Sequence, residues 1–253
     1  LAANNGFEYF IKAFKNRDFL NALRNTLVLN LLDLVIGFPV PIIFALILNE
    51  LVFKRFKRVV QTVAYMPHFL SWVIIYGLAL QIFAPTTGFL NMILGALGLE
   101  SIPFLNDSAH WVGTYIFLGI WQSFGWNSIV YLAAIAGVDQ SLYEAARMDG
   151  ATKLQCMLKI TIPSIMPTII VMLILKMGSI VSVDFEQVFL MNNAMVKKQL
   201  EVFEIYIFNN GIAGGSTQYS YTTAIGMFKS VINTSLVLLT NWITSRKGYE
   251  GIM

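Results

Sequence analysis

Glu144, Ala145, Ala146 and Gly150, followed by Ile160 and Pro163, lie in a polar, charge-mixed stretch between two long apolar segments. The chemistry of these residues is recognition rather than catalysis. Small alanines admit a close backbone approach, and glycine admits a bend. A glutamate there either caps a helix or pairs with a base on a partner. Ser141, three residues before Glu144, fits a capping box, and Gly150 suits the position just past a helix end. A second amphipathic stretch runs from Thr152 to Lys159. Residues 139–161 are therefore expected to form two short helices at a bend on the membrane face. The residues alone leave two readings open, a docking element and an ordinary amphipathic connector.

Two further constellations carry polar chemistry inside apolar surroundings. Asp33, Lys176 and Lys229 each fall about eight residues from the expected outer end of a span. At about 1.5 Å per residue they share a depth of roughly 12 Å. Isolated charges at that depth pair or line water, and each lysine alone also has the option of snorkelling to the surface. Tyr115, Gln122 and Trp126 recur at helical spacing with Asn127 adjacent, while Tyr76 and Gln81 lie on the preceding span. Aromatic faces stack on pyranose rings and amides hydrogen-bond to their hydroxyls, so these six are candidates for a sugar path. Interhelical packing and hydrogen bonding is the competing reading. His68 and His110 both fall near expected helix ends, where interfacial or capping roles are expected.

Composition bounds the class. Hydrophobic residues make up 57% of the 253 and charged residues 12%, against roughly 25% charge in a soluble domain. The net charge of +3 is too small to imply nucleic acid. The single Cys156 leaves no internal disulfide and no cysteine-based metal cluster. No glycine is followed by lysine, so the chain lacks a phosphate-cradling loop and cannot hydrolyse ATP alone.

These residues must be positioned by membrane helices, each needing about 20 apolar residues. Five spans are predicted, about 25–48, 62–84, 111–137, 162–183 and 221–243. The first is expected to kink at Gly37, Pro39 and Pro41. Nine basic residues fall in loops 49–61 and 138–161 and in the tail, and six on the opposite side, including Lys197 and Lys198. That bias places the tail and the 139–161 loop in the cytoplasm, and loops 84–110 and 184–220 outside. Five spans then leave residue 1 outside, so at least one further helix is expected to precede it. The fold class is an all-α polytopic membrane bundle forming a single transmembrane domain.

The spacing Glu144-Ala145-Ala146, three residues, Gly150, nine residues, Ile160, one residue, Ile162-Pro163 resembles the EAA motif of bacterial binding-protein-dependent ABC importer permeases. Ile162 stands where that motif has leucine. Phe19 to Thr26, Tyr65-Met66-Pro67, Gly88 to Asn91, Trp121-Gln122 and Tyr219 to Asn233 resemble the carbohydrate, maltose-type branch. The end, through Ser245 to Gly248, is similar to its complex-oligosaccharide subgroup. The resemblance covers nearly the whole chain and implies the type I ABC importer permease fold. It further implies a second permease subunit, identical or paralogous, and two cytoplasmic ATPase subunits holding ATP and Mg, with no cofactor on this chain. An extracytoplasmic binding protein would deliver the sugar. Glu144, Ala145, Ala146 and Gly150 then become the ATPase-docking positions of a coupling helix in a bacterial cell membrane. A permease of the same architecture for another solute, or an ion-coupled secondary transporter using Asp33 and the lysines, are the competing functions.

Overall fold

The computed structural model describes residues 7–196, 201–213, 218–246 and 248. Lys197, Lys198 and Lys247, used above to orient the chain, lie outside them. Eleven helices are named here: α1 Glu8–Lys15, α2 Arg17–Asn49, α3 Lys54–Phe69, α4 Trp72–Phe83, α5 Phe89–Ala96, α6 Ser108–Ala136, α7 Gln140–Met148, α8 Lys153–Met177, α9 Phe185–Leu190, α10 Phe203–Phe208 and α11 Tyr219–Arg246. No strand occurs among the described residues. Helices α2, α8 and α11 are each long and apolar enough to cross a membrane, and α3 with α4 passes the same test as one bent pair. Helix α6 is long at 29 residues and carries no Asp, Glu, Lys or Arg.

Prolines explain where the helices depart from the expected spans. The predicted kink in the first span takes the form of a wide π-turn at Asp33–Gly37, one residue short of Pro39. A second π-turn, Met157–Thr161, ends one residue short of Pro163. Proline donates no hydrogen bond, and its ring crowds the carbonyl four residues back. A wider turn absorbs both effects without ending the helix. The stretch 153–159 consequently runs straight into α8, rather than forming a separate short helix before a span at 162. The predicted 62–84 span is not continuous. It tightens into a 3₁₀ turn at Met66–Phe69, around Pro67, and breaks at Leu70 and Ser71, where Ser71 is extended with ψ 151°.

The chain divides into two compact units. One comprises Leu1–Leu34, Leu70–Gly119 and Ser179–Ser235. Aromatic rings dominate its interior: Phe19 meets Phe203 at 5.3 Å and Phe228 at 5.9 Å, and Trp111 stacks on Tyr115 at 5.3 Å. Several of its polar groups find partners over long sequence separations. Thr26 Oγ1 accepts from the Phe203 amide at 3.0 Å, and Trp72 Nε1 donates to Asp184 at 3.0 Å.

The other unit comprises Val35–Phe69, Ile120–Gly178 and Leu236–Met253. Its core gathers Ala45, Leu46, Tyr131, Ile135, Val138 and Ile165, with Tyr143, Met157 and Ile160 packed against them. This core fixes both ends of the stretch that carries the candidate docking residues.

Candidate functional site

Helix α7 carries Glu144, Ala145 and Ala146, and its ends are set by its own flanking residues. Asp139 is the N-cap, its carboxylate accepting from the Ser141 amide at 2.9 Å. That hydrogen bond holds the exposed Asp139 carboxyl below the usual carboxylate range. The expected Ser141–Glu144 capping box is therefore not formed. Ser141 already lies inside the helix, because an acidic cap two residues earlier claims the start. Glu144 and Ala145 point to solvent and Ala146 is half-buried.

Gly150 adopts φ +79°, the left-handed conformation a residue with a Cβ avoids. Its amide donates to the Arg147 carbonyl at 3.1 Å, and the Ala151 amide donates to that of Ala146 at 2.9 Å. This pair of bonds is the Schellman closure, so the helix ends where the sequence placed it. A capping box does occur, at Thr152 and Gln155, where α8 begins.

The outer face of this hairpin is apolar at its tip, with Met148 88% exposed and Leu142, Leu154 and Leu158 also exposed. Beside the tip lies an open cavity of about 280 Å³, lined by residues including Ala146, Asp149, Gly150, Gln155, Cys156 and Lys159. The Tyr143 hydroxyl pairs with Thr161 Oγ1 at 2.9 Å, and Lys153 sits 4.0 Å from Glu50. A rigidly capped, solvent-facing helix with an apolar tip is suited to bind a partner surface. It presents no nucleophile–base pair, and the thiol of Cys156 is buried.

The sugar-path candidates separate. Trp126 is 42% exposed and stacks on His68 at 4.7 Å with the rings 8° apart, while Phe69 meets it edge-on at 5.6 Å. Asn127 beside it is exposed and Gln122 is half-buried. His68 is thus part of an aromatic platform rather than a helix-end cap, and its Nδ1 is buried without a hydrogen-bond partner. Gly125, which sequence reasoning passed over, positions this platform. A Cβ there would stand 2.0 Å from the carbonyl oxygen of Ala64, so only glycine lets α6 approach α3. A glycine flanked by Phe124 and Trp126 was the available signal.

In the other unit Tyr115 is buried, its ring stacked on Trp111, and its carbonyl accepts from Gln187 Nε2 at 2.8 Å. Tyr76 is half-buried, and Gln81 is exposed and helps line a groove of about 630 Å³ with Leu80, Ala84, Thr87, Phe89 and Met92. His110 lies in the first turn of α6, where Asp107 is the cap: its carboxylate accepts from the Ala109 and His110 amides and also pairs with the His110 ring at 2.8 Å.

Lys229 pairs with Glu204, the two side chains 15% and 13% exposed. Snorkelling is thereby overturned for this lysine. The partner comes from the expected 184–220 loop rather than from Asp33. Glu204 leaves its Oε2 buried without a hydrogen-bond partner. Asp33 opens the π-turn of α2 and Lys176 sits in the last turn of α8, both half-buried and both engaged by neighbouring groups.

Fold and loop together define a multi-pass membrane component with an exposed, locally capped hairpin. The chain belongs to the family of binding-protein-dependent transport system inner membrane components, which it matches over residues 37–249. It is 44% identical to protein LplB of Bacillus subtilis (strain 168), over 98% of this chain and 77% of that one. It is equally 44% identical, over 98% of this chain and 76% of the relative, to that organism's polygalacturonan/rhamnogalacturonan transport system permease protein YteP. Its fold matches a chain of the bacterial alginate ABC transporter in complex with an alginate pentasaccharide-bound periplasmic protein. The TM-score is 0.93 at 39% identity, covering 97% of this chain and 85% of the other. By its description YteP is a transport system permease protein.

Proposed function

We propose that this chain is the membrane-spanning permease subunit of an ATP-driven ABC importer that moves an oligosaccharide delivered by an extracytoplasmic binding protein. The observation that carries this reading is the hairpin at 139–161. It holds the Glu144, Ala145, Ala146 and Gly150 spacing on a solvent-facing helix closed at both ends. The oligosaccharide cargo is supported by YteP and the alginate transporter, whose descriptions name polygalacturonan/rhamnogalacturonan and alginate. ATP and Mg reside on two partner ATPase subunits, and a second permease subunit completes the pore. The exposed tip around Met148 seats in the ATPase, with Glu144 facing a base and Ala145 and Ala146 allowing close approach. The hairpin and the tail are cytoplasmic. Trp126, backed by His68 and Phe69, stacks on a sugar ring, with Asn127 and Gln122 offering amide contacts.

The test is transport by the purified complex in proteoliposomes. Glu144→Lys or Gly150→Pro leaves the subunit folded in the membrane but separates ATP hydrolysis from uptake. Wild-type substrate-stimulated hydrolysis together with wild-type uptake in both variants overturns the assignment. Sidedness is read with Met148→Cys in a Cys156→Ser background, since the native thiol is buried. A charged maleimide labels the Met148→Cys variant in inverted vesicles stripped of the ATPase subunits, labels it less when they are bound, and does not label it in right-side-out vesicles.

A further inference from the structure

The connection leaving α2 carries Lys54, Arg55, Lys57 and Arg58 within five residues, and nothing in the function above uses them. Lys54, Arg55 and Arg58 are exposed and Lys57 is half-buried. The one acid of residues 49–61, Glu50, is engaged by Lys153 at 4.0 Å. Four cations at the start of a helix oppose its dipole, and Phe53 supplies no side-chain cap. The run therefore does not stabilise the helix that carries it.

The same helix has an apolar side. Phe53, Phe56, Val59 and Val63 recur at steps of three and four residues, which places them on one face. Each is more than half exposed. Ala64, on a different side, is the residue buried against the glycine of α6. Helix α3 thus presents a packed side, a bare apolar side and a cationic side. It directly follows α2, which is long and apolar enough to cross the membrane, so α3 begins next to the end of a span. Cations beside an exposed apolar face match the negative surface potential of a bilayer.

We infer that the start of α3 is a recognition site for anionic phospholipid. Lys54, Arg55, Lys57 and Arg58 hold the phosphodiester headgroups, while Phe53, Phe56, Val59 and Val63 lie among the acyl chains. Transport by the assembled importer is then sensitive to the anionic lipid content of the membrane, through a surface separate from the docking hairpin.

The experiment uses the full complex in nanodiscs of phosphatidylcholine, alone or with a third phosphatidylglycerol. Two readouts are taken: phosphatidylglycerol retained on the complex, by native mass spectrometry, and binding-protein-stimulated ATP hydrolysis. Wild type retains phosphatidylglycerol over phosphatidylcholine and hydrolyses ATP faster when it is present. Substituting glutamine at 54, 55, 57 and 58 abolishes both preferences, with retention falling about fivefold per cation removed. The charge-preserving set Lys54→Arg, Arg55→Lys, Lys57→Arg and Arg58→Lys behaves as wild type, which separates charge from folding. Equal phosphatidylglycerol retention in wild type and the glutamine variant overturns the inference. So does loss of the ATPase subunits from the glutamine variant in phosphatidylcholine alone, which assigns the cations to a protein partner. Lipid retention is read without transport, so it stands or falls independently of the cargo.

Discussion

The 139–161 hairpin and the Lys229–Glu204 pair are both polar features of an apolar protein, and they are built in opposite ways. The hairpin is closed by its own residues. Asp139 accepts from the Ser141 amide, Gly150 donates to the Arg147 carbonyl, and Thr152 and Gln155 cap each other. Every one of these bonds spans a few residues of chain. Lys229, by contrast, is neutralised by a residue 25 positions away, on another helix. Other polar groups of that unit reach further still, such as Asn16 to Tyr206 at 3.1 Å and Asn25 to the Glu201 carbonyl at 3.1 Å. A feature that meets water can be made locally, because solvent satisfies whatever the chain leaves over. A charge held away from water needs a partner, and only packing brings one.

This contrast sets the order of the mutational effects. The largest belongs to the buried pair. Glu204→Ala leaves Lys229 uncompensated and is expected to cost about 3–5 kcal/mol. The double variant Glu204→Gln with Lys229→Met recovers most of that loss. Thermal unfolding of the purified complex in detergent measures both. A double variant no more stable than the single one would place the hairpin and the pair in the same energetic class.

Next comes Gly125→Ala, which drives a methyl into the Ala64 carbonyl and is expected to cost about 1–3 kcal/mol. It also displaces Trp126, so apparent substrate affinity weakens along with stability. Uptake measured across sugar concentration separates the two effects. Gly150→Ala follows, at roughly 1–2 kcal/mol for a left-handed residue with a Cβ. The cost falls on the hairpin alone, so local proteolysis near Asp149 increases while global unfolding is almost unmoved. A matched fall in both would show that the hairpin is not the separate local unit described here.

The smallest effect is that of pH on Asp139. Its carboxyl is held low in the fold by the Ser141 amide. A depressed folded value means that the stabilising contribution is present above the unfolded value, about 3.9. It is lost as pH falls through the folded value, so the window lies below about pH 4. Asp139→Asn keeps a capping oxygen and removes that dependence. Protease susceptibility of the hairpin, titrated from pH 6 to pH 3, is expected to rise in the wild type and stay flat in the variant.

The amount legible in advance differed between the two regions for the same reason. Gly150 as the helix end was readable, because glycine past a run of helix formers has a local cause. The start of α7 was misassigned by two residues: Asp139 and Ser141 are both good caps, and their order of preference depends on where the preceding helix lets the chain go. The bent pair α3 and α4 looked like one span because hydropathy is continuous across Pro67, and hydropathy does not register the break at Ser71. Tyr115 and Trp126 share one helix face by spacing, yet one is buried against Trp111 and the other is half-open on His68. Helical spacing assigns a face and does not say what lies opposite it.

The all-α membrane class, the apolar segments and the glycine end of the 139–161 helix were readable from the chain alone. Those are one-dimensional properties: the free energy of placing a residue in lipid, or of turning the backbone at one position, depends mainly on that residue and its near neighbours. The tertiary structure alone decided that Glu204 neutralises Lys229, that His68 backs Trp126, and that Gly125 must be glycine. Each of these depends on which groups come within a few ångströms of each other. That distance is set by how the helices pack, and no residue carries it in its own chemistry.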